Sequence, residues 1–303
     1  MIQKFDASQP FTRADAMAAG VDPRVLRTSS YRRVLRGVWI ASEAWTPYTP
    51  IFSALKLHPR GAVATHFSAA RLLDLPVPDS PFIHVTVFDP LDRRFRAEVK
   101  SHVTTRKISV THRHGLPCTS PLKTFVDLAG HTSLVDMVVL GDAMIKKYVI
   151  SVDDLVEYCA NSTDYYAGLA RLAASYVRKG VDSPMESRLR MLLVLAGLPE
   201  PTVDFRLYDE FGNVRRRIDL SYPHLRLAIE YDGRHHIRFG QWKGDIERRE
   251  DLGDEDWVIL TVIAEGVFKV PEETIERVRR KILRLGGGPL PSINPAWLSH
   301  FAA

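Results

Sequence analysis

The sequence predicts a multidomain protein of mixed α+β and α/β class, and three observations carry that expectation. The chain has 303 residues, more than the roughly 100–200 that one domain usually holds. Its composition, 45% hydrophobic and 25% charged, is that of a globular protein with enough apolar side chains for more than one core. Its patterning changes along the chain: short helix and hairpin signals over 1–48, a mixed and mainly helical stretch over 49–180, a helix with long strand-like runs over 181–285, and a Pro-rich tail over 286–303.

Several function classes drop out early. No apolar run approaches the roughly 18 residues of a membrane span, so no membrane partner is expected. The start, MIQKFDASQPFT, lacks the apolar core of a secretory signal, and two isolated cysteines, Cys118 and Cys159, make no disulfide framework, so a cytoplasmic address is expected. The net charge of +5, with arginine clusters at 32/33/36, 93/94/96 and 215–217, fits a polyanionic partner. Charge runs are also ordinary solvated faces.

The first segment has two helix starts: Thr12 before RADAMAAG, and Asp22–Pro23 before RVLRTS, separated by Gly20. YRRVLRGVWIA then reads as a basic hairpin, with Val34, Leu35, Val38 and Ile40 for a core and Arg32, Arg33 and Arg36 for solvent or phosphate. Helix, turn, helix, wing is the pattern of a winged helix, in which the second helix enters a major groove and the wing's cations touch backbone phosphate. The alternative is a small helical cap kept soluble by its arginines.

From 49 to 180, helices are expected at IFSALKLH, THFSAARLLDL with Thr65 as cap, SPLKTFVDLAG with Ser120 as cap, SLVDMVVLGDAMIKK, SVDDLVEYCA and YYAGLARLAASYVRK. FIHVTVF and KISVTH alternate like strands. His66, His84, His102, His112 and His114 fall in different elements without the i, i+4 spacing of a helical metal pair, so each is expected at the surface or hydrogen-bonded in a core.

The order of FTRADAMAAGVDPRVL, YRRVLRGVWIA, THFSAARLLDL and GLPCTSPLKTFVDLAG resembles the AbiEi-type antitoxin and transcriptional-regulator family over about the first half of the chain. The resemblance implies an amino-terminal winged helix and DNA binding. It names no operator and no toxin partner, although a protein partner is compatible with it.

Near residue 180 a new domain begins, with Ser183, Pro184 and Glu186 opening an apolar-periodic helix that stops at Gly197 and Pro199. Glu186 lies three residues after Ser183, where it serves either as a capping-box glutamate or as a catalytic acid. Two strand-like runs follow, the first with a hairpin signal at 209–213. In RRIDLSYP, Ile218 and Leu220 are expected on one face and Asp219 on the other; in LRLAIEYDG, Leu227 and Ile229 oppose Glu230 and Asp232. Paired as neighbours, the runs bring Asp219 and Glu230 to one divalent ion. Like charges gathered on a sheet destabilise it unless a cation compensates, and Mg²⁺, or Mn²⁺ in its place, takes carboxylates, waters and phosphate oxygens.

Residues 183–285 resemble the PD-(D/E)XK nuclease superfamily, a restriction-endonuclease-like fold, and within it the very-short-patch-repair branch. The resemblance makes Asp219 the metal-binding aspartate, Glu230 the acid of the (D/E)XK step and Glu186 the acid of the preceding helix. Tyr231 contributes a backbone carbonyl to the metal. Asp232 stands where many members have lysine, as a further ligand or orienter, and His235 or His236 of DGRHH is the proton-handling residue implied by that branch. Downstream, DIERREDLGDEDWVILTV reads as a helix with Asp245, Arg248 and Arg249 at ion-pair spacing, then a strand with Trp257, Ile259 and Thr261 on one face. PEETIERVRRKILRL closes the segment as an amphipathic helix.

The expectation is therefore a Mg²⁺-dependent endonuclease acting on DNA and guided by a winged helix. Two alternatives stay beside it: a DNA-binding regulator whose nuclease fold does not cut, and a carboxyl-terminal half that only binds a partner. RNA is a further candidate substrate.

Overall fold

The computed structural model describes residues 5–233 and 256–301. Among the described residues the protein is a mixed α/β molecule with three sheets, and it divides into two compact units, 1–131 and 132–303. The helices between 134 and 175 therefore belong with the carboxyl-terminal unit, whereas the sequence reading set them in a middle segment ending at 180.

In the first unit, β1 (Phe11–Thr12), β3 (Val38–Ala41) and β2 (Tyr31–Leu35) form a small sheet in that order, flanked by α1 (Arg13–Ala18). Thr12 and Asp15 make a reciprocal capping box that starts α1. The β2–β3 hairpin forms as expected, turning at Arg36 and Gly37, with φ +85° at the glycine, a region that side chains with a Cβ avoid. Leu35, Val38 and Ile40 are buried and Arg33 and Arg36 are exposed. The second helix is different from expectation: Val25–Arg27 is a single 3-10 turn. Asp22 accepts from the Arg24 N–H, an Asx turn that satisfies the backbone locally and favours a turn over helix propagation.

The rest of this unit is a five-stranded sheet in the order β6 (Val99–Val103), β5 (Ile83–Val87), β4 (Val63–Ala64), β8 (Leu116–Thr119), β7 (Val110–Arg113), packed with α2 (Thr49–Leu57), α3 (His66–Leu72) and α4 (Pro121–Leu128). Ser120 caps α4 as its sequence predicts. Thr65 stands at the start of α3 but its hydroxyl caps nothing; it bonds His66 and Thr86 instead.

The second unit runs through α5 (Leu134–Lys147), α6 (Val152–Asn161), α7 (Ala167–Ser175) and α8 (Pro184–Leu195) into β9 (Thr202–Tyr208), β10 (Val214–Tyr222), β11 (Leu227–Asp232) and β12 (Val258–Ile263), then α9 (Ala264–Phe268), α10 (Pro271–Arg284) and α11 (Leu298–Phe301). The four strands form one sheet in the order β12-β11-β10-β9, antiparallel except for the β11–β12 pair. One core joins α8, the sheet and α10 through Leu189, Leu192, Leu220, Leu227, Ile229, Val262 and Val278. Trp297 and Phe301 of the Pro-rich tail close over it.

A buried ion pair ties α5 to α8. Arg190, fully buried, binds Asp142 at 2.9 Å and Glu200 at 3.0 Å, while Ser187 and the Arg178 N–H complete the Asp142 carboxylate. Burial pushes the Asp142 carboxyl up, against the pull of Arg190. No helix among the described residues is long and apolar enough to cross a membrane.

Candidate active site

The carboxylates of the second unit come from three adjoining elements. Ser183 caps α8 by accepting from the Glu186 N–H at 3.2 Å. The Glu186 side chain, 7% exposed, reaches back to the Asp182 N–H at 2.9 Å, one residue beyond the cap that a capping box would use. This fixes one carboxylate oxygen of Glu186 at the helix start, where the α8 dipole favours negative charge. α8 packs on both β10 and β11, so its first turn stands over the strands that carry the other acids.

On the sheet, the β10–β11 ladder runs from Tyr222 opposite Leu227 to Leu220 opposite Ile229, and the next residues outward are Asp219 and Glu230. Alternation along β10 fails there. Leu220 and Tyr222 enter the main core, whereas Ile218 joins Ala228, Trp257, Phe205 and Leu207 in a second cluster, so Ile218 and Leu220 do not share a face. The neighbouring strand does the same at Asp204, which has φ +52° and is skipped with Asp219 in the β9–β10 ladder. Irregular strand positions of this kind re-aim side chains, and they gather beside functional sites.

The Asp219 carboxylate has no hydrogen bond or ion pair with another described residue. Its carboxyl is pushed up to about 6, first by burial, then by Glu186, Glu230 and Asp182, with Arg217 opposing. Three acids thus face a fourth. Glu230 is in part neutralised: Arg216 donates to its Oε1 at 2.8 Å. Arg217 binds Asp182 at 2.8 Å and also pairs with Asp204. Tyr231 packs against the main core, and Asp232 ends β11 beside Ile263 of β12. His235 and His236 lie outside the described residues, as does the helix expected around Asp245, Arg248 and Arg249.

Glu186, Asp219 and Glu230 are hard oxygen donors of the kind Mg²⁺ or Mn²⁺ takes, but among the described residues the ligand-type side chains gathered within 4.8 Å of one another are His66, His84 and His102 and not these three. One strand away, Thr261, the register partner of Glu230, lines a cleft of about 370 Å³ with Arg277, Arg280, Lys281 and Arg284 of α10. Sequence reading did not single out these four. Their i, i+3 and i+4 spacing on an amphipathic helix was the signal that was present.

In the first unit, Arg32 stacks over the Trp45 ring at 3.7 Å and is still exposed, as are Arg33 and Arg36. His66, His84 and His102, each expected at the surface or hydrogen-bonded in a core, come from different elements and meet in one hydrogen-bonded group. The strand order and register bring them together, which local pattern does not show.

No family model matches the chain. Over 104 residues it is 28% identical to the uncharacterized protein Rv2248 of Mycobacterium tuberculosis (strain ATCC 25618 / H37Rv) and, equally, to the uncharacterized protein MT2308 of strain CDC 1551 / Oshkosh. The match covers 34% of this chain and 38% of the length of each relative.

Proposed function

We propose that the second unit hydrolyses phosphodiester bonds in DNA with a divalent metal, and that the hairpin of the first unit binds the same polymer. The observation that carries this reading is the convergence of Glu186, Asp219 and Glu230 from one helix and two neighbouring strands, with Asp219 half-buried among acids. Asp219 and Glu230 would hold the ion, with the Tyr231 carbonyl as a third oxygen. When bound, Mg²⁺ or Mn²⁺ supplies Lewis acidity toward a phosphoryl oxygen and a water of lowered pKa. Glu186, held by the Asp182 N–H, orients the group from α8, and Asp232 adds charge at the end of β11. Arg216 fixes the Glu230 carboxylate in one rotamer. His235 and His236 are the candidates for moving the proton. Arg277, Arg280, Lys281 and Arg284 offer phosphate contacts one strand away, and Arg33 and Arg36 offer others in the first unit.

A second reading has its own observation. Arg216 occupies one Glu230 oxygen, and position 232 holds an aspartate instead of a cation that steadies an attacking hydroxide. The fold would then hold DNA as a regulator without cutting it. Incubation of the parent, Asp219→Asn and Glu230→Gln with plasmid and with linear single-stranded DNA, in Mg²⁺ or Mn²⁺, separates the two. Cleavage by the parent that falls at least about a hundredfold in both variants, with DNA binding kept, is the expected result. Binding without cleavage in either ion would leave the regulator.

A further inference from the structure

The first unit holds a second group of ligand-type side chains, chemically unlike the acids. His84 on β5 and His102 on β6 lie on parallel neighbours paired His84 to Lys100 and Thr86 to His102, so they project from the same face one step apart. His66 opens α3 immediately after β4, the antiparallel partner of β5. Their rings meet: His66 stacks on His102 at 4.0 Å, His84 lies 5.2 Å from each, and His131 stands edge-on to His66 at 5.0 Å.

We propose that His66, His84 and His102 bind one divalent transition-metal ion, Zn²⁺ above others, at a site separate from the carboxylates. His84 Nδ1 and His102 Nε2 are 3.0 Å apart, and one nitrogen of each of the three rings lies within 4.8 Å of the others. A tetrahedral ion with metal–nitrogen bonds of about 2.0–2.1 Å sets its donors roughly 3.3 Å apart, so ångström-scale shifts close the site. The main movement is a fanning of the His66 and His102 rings, now 12° from parallel, so that one ion lies in both ring planes.

The outer nitrogens are already anchored. His66 Nδ1 bonds Thr65 Oγ1 at 3.1 Å, that hydroxyl is bonded by Thr86 at 3.0 Å, and His84 Nε2 faces Ser80 Oγ at 3.3 Å. Partners of this kind orient metal-binding imidazoles and fix their tautomers. They leave His66 Nε2 and His84 Nδ1 for the interior. The group contains no carboxylate and no thiolate, so its softness suits Zn²⁺, Co²⁺, Ni²⁺ or Cu²⁺ and not Mg²⁺. Three imidazoles leave a fourth position for water, a substrate oxygen or His131. His66 holds φ +51°, uncommon for a residue with a side chain, and this conformation directs it into the group. Burial comes first at all three, followed by the neighbouring histidines at His66 and His84 and by Lys100, then His131, at His102; together these hold His84 to about 3 and His102 to about 4 and lower His66 further.

Tag-free full-length protein, stripped with a chelator and dialysed, is titrated with Zn²⁺ in a calorimeter. With Mg²⁺ in large excess to occupy the carboxylates, one tight equivalent of zinc per chain is expected. His84→Gln and His102→Gln should each weaken it at least about a hundredfold, and Thr65→Val about tenfold or more. Asp219→Asn and a His235→Gln/His236→Gln double variant should bind as the parent does. X-ray absorption of the zinc-loaded parent reads the ligands without any variant, and imidazole scattering from three rings is expected. No zinc bound by folded parent, oxygen ligands alone, or zinc that follows Asp219 or His235/His236 would each overturn the site.

Discussion

Asp219 shows how one side chain sets stability against chemistry. Its carboxyl has an ordinary value of 3.8 and is raised to about 6, so between these values the folded chain binds more protons than the unfolded one. Stability contributed by this residue is therefore present below about pH 4, falls as pH rises to about 6, and stays low above. After allowance for solvent screening the effect is about 1–2 kcal/mol. Asp219→Asn removes the charge, so at pH 7 without divalent ions the variant should melt a few degrees above the parent. Mg²⁺ should raise the parent's melting temperature and leave the variant's unchanged; a variant that melts lower in metal-free buffer would contradict this account. Asp219 and Glu230 stood out as candidates because they interrupt strand-like apolar runs, and Glu186 because it falls three residues after the Ser183 cap. The Arg216 bond to Glu230 was not legible, since a residue three positions along a neighbouring strand pairs only once register is fixed.

At the scale of elements, most helices and strands were legible from period and caps, and the exceptions have local causes. The 3-10 turn at Val25–Arg27 replaces a helix because Asp22 satisfies the following backbone. The change of face at Asp219 and Asp204 cannot be read from alternation, which presumes a regular strand. The cap of α8 is testable: Ser183→Ala removes the acceptor for the Glu186 N–H and should cost about 1 kcal/mol in urea unfolding of this unit. The α5–α8 pair is more demanding. Asp142→Ala leaves the fully buried Arg190 without its closest carboxylate and should cost about 3–5 kcal/mol, read as a lowered urea midpoint. A loss below about 1 kcal/mol would mean that Glu200 alone satisfies the guanidinium.

For the whole molecule, the excess of cations is the property that length and composition disclosed, while its distribution needed the fold. Arg33 and Arg36 in the first unit and the α10 cations in the second are sparse enough that each phosphate contact should register separately. Replacing Arg33 and Arg36 by Ala should weaken DNA binding across sequences and flatten the dependence of log affinity on log salt by about 1 per lost contact. An unchanged slope would place the DNA elsewhere. The histidine group was hidden because local pattern does not show that β4, β5 and β6 pair side by side, nor the parallel register that sets His84 near His102. The two cysteines give each half its own clock. Cys118 lies in the first unit and Cys159 in the second, both fully enclosed and with thiols pushed up to about 11 by burial. An alkylating reagent reaches either sulfur only when the surrounding half opens, so mass spectrometry of tryptic fragments times the two openings in one tube. Zinc should delay labelling at Cys118 alone, and magnesium at Cys159 alone.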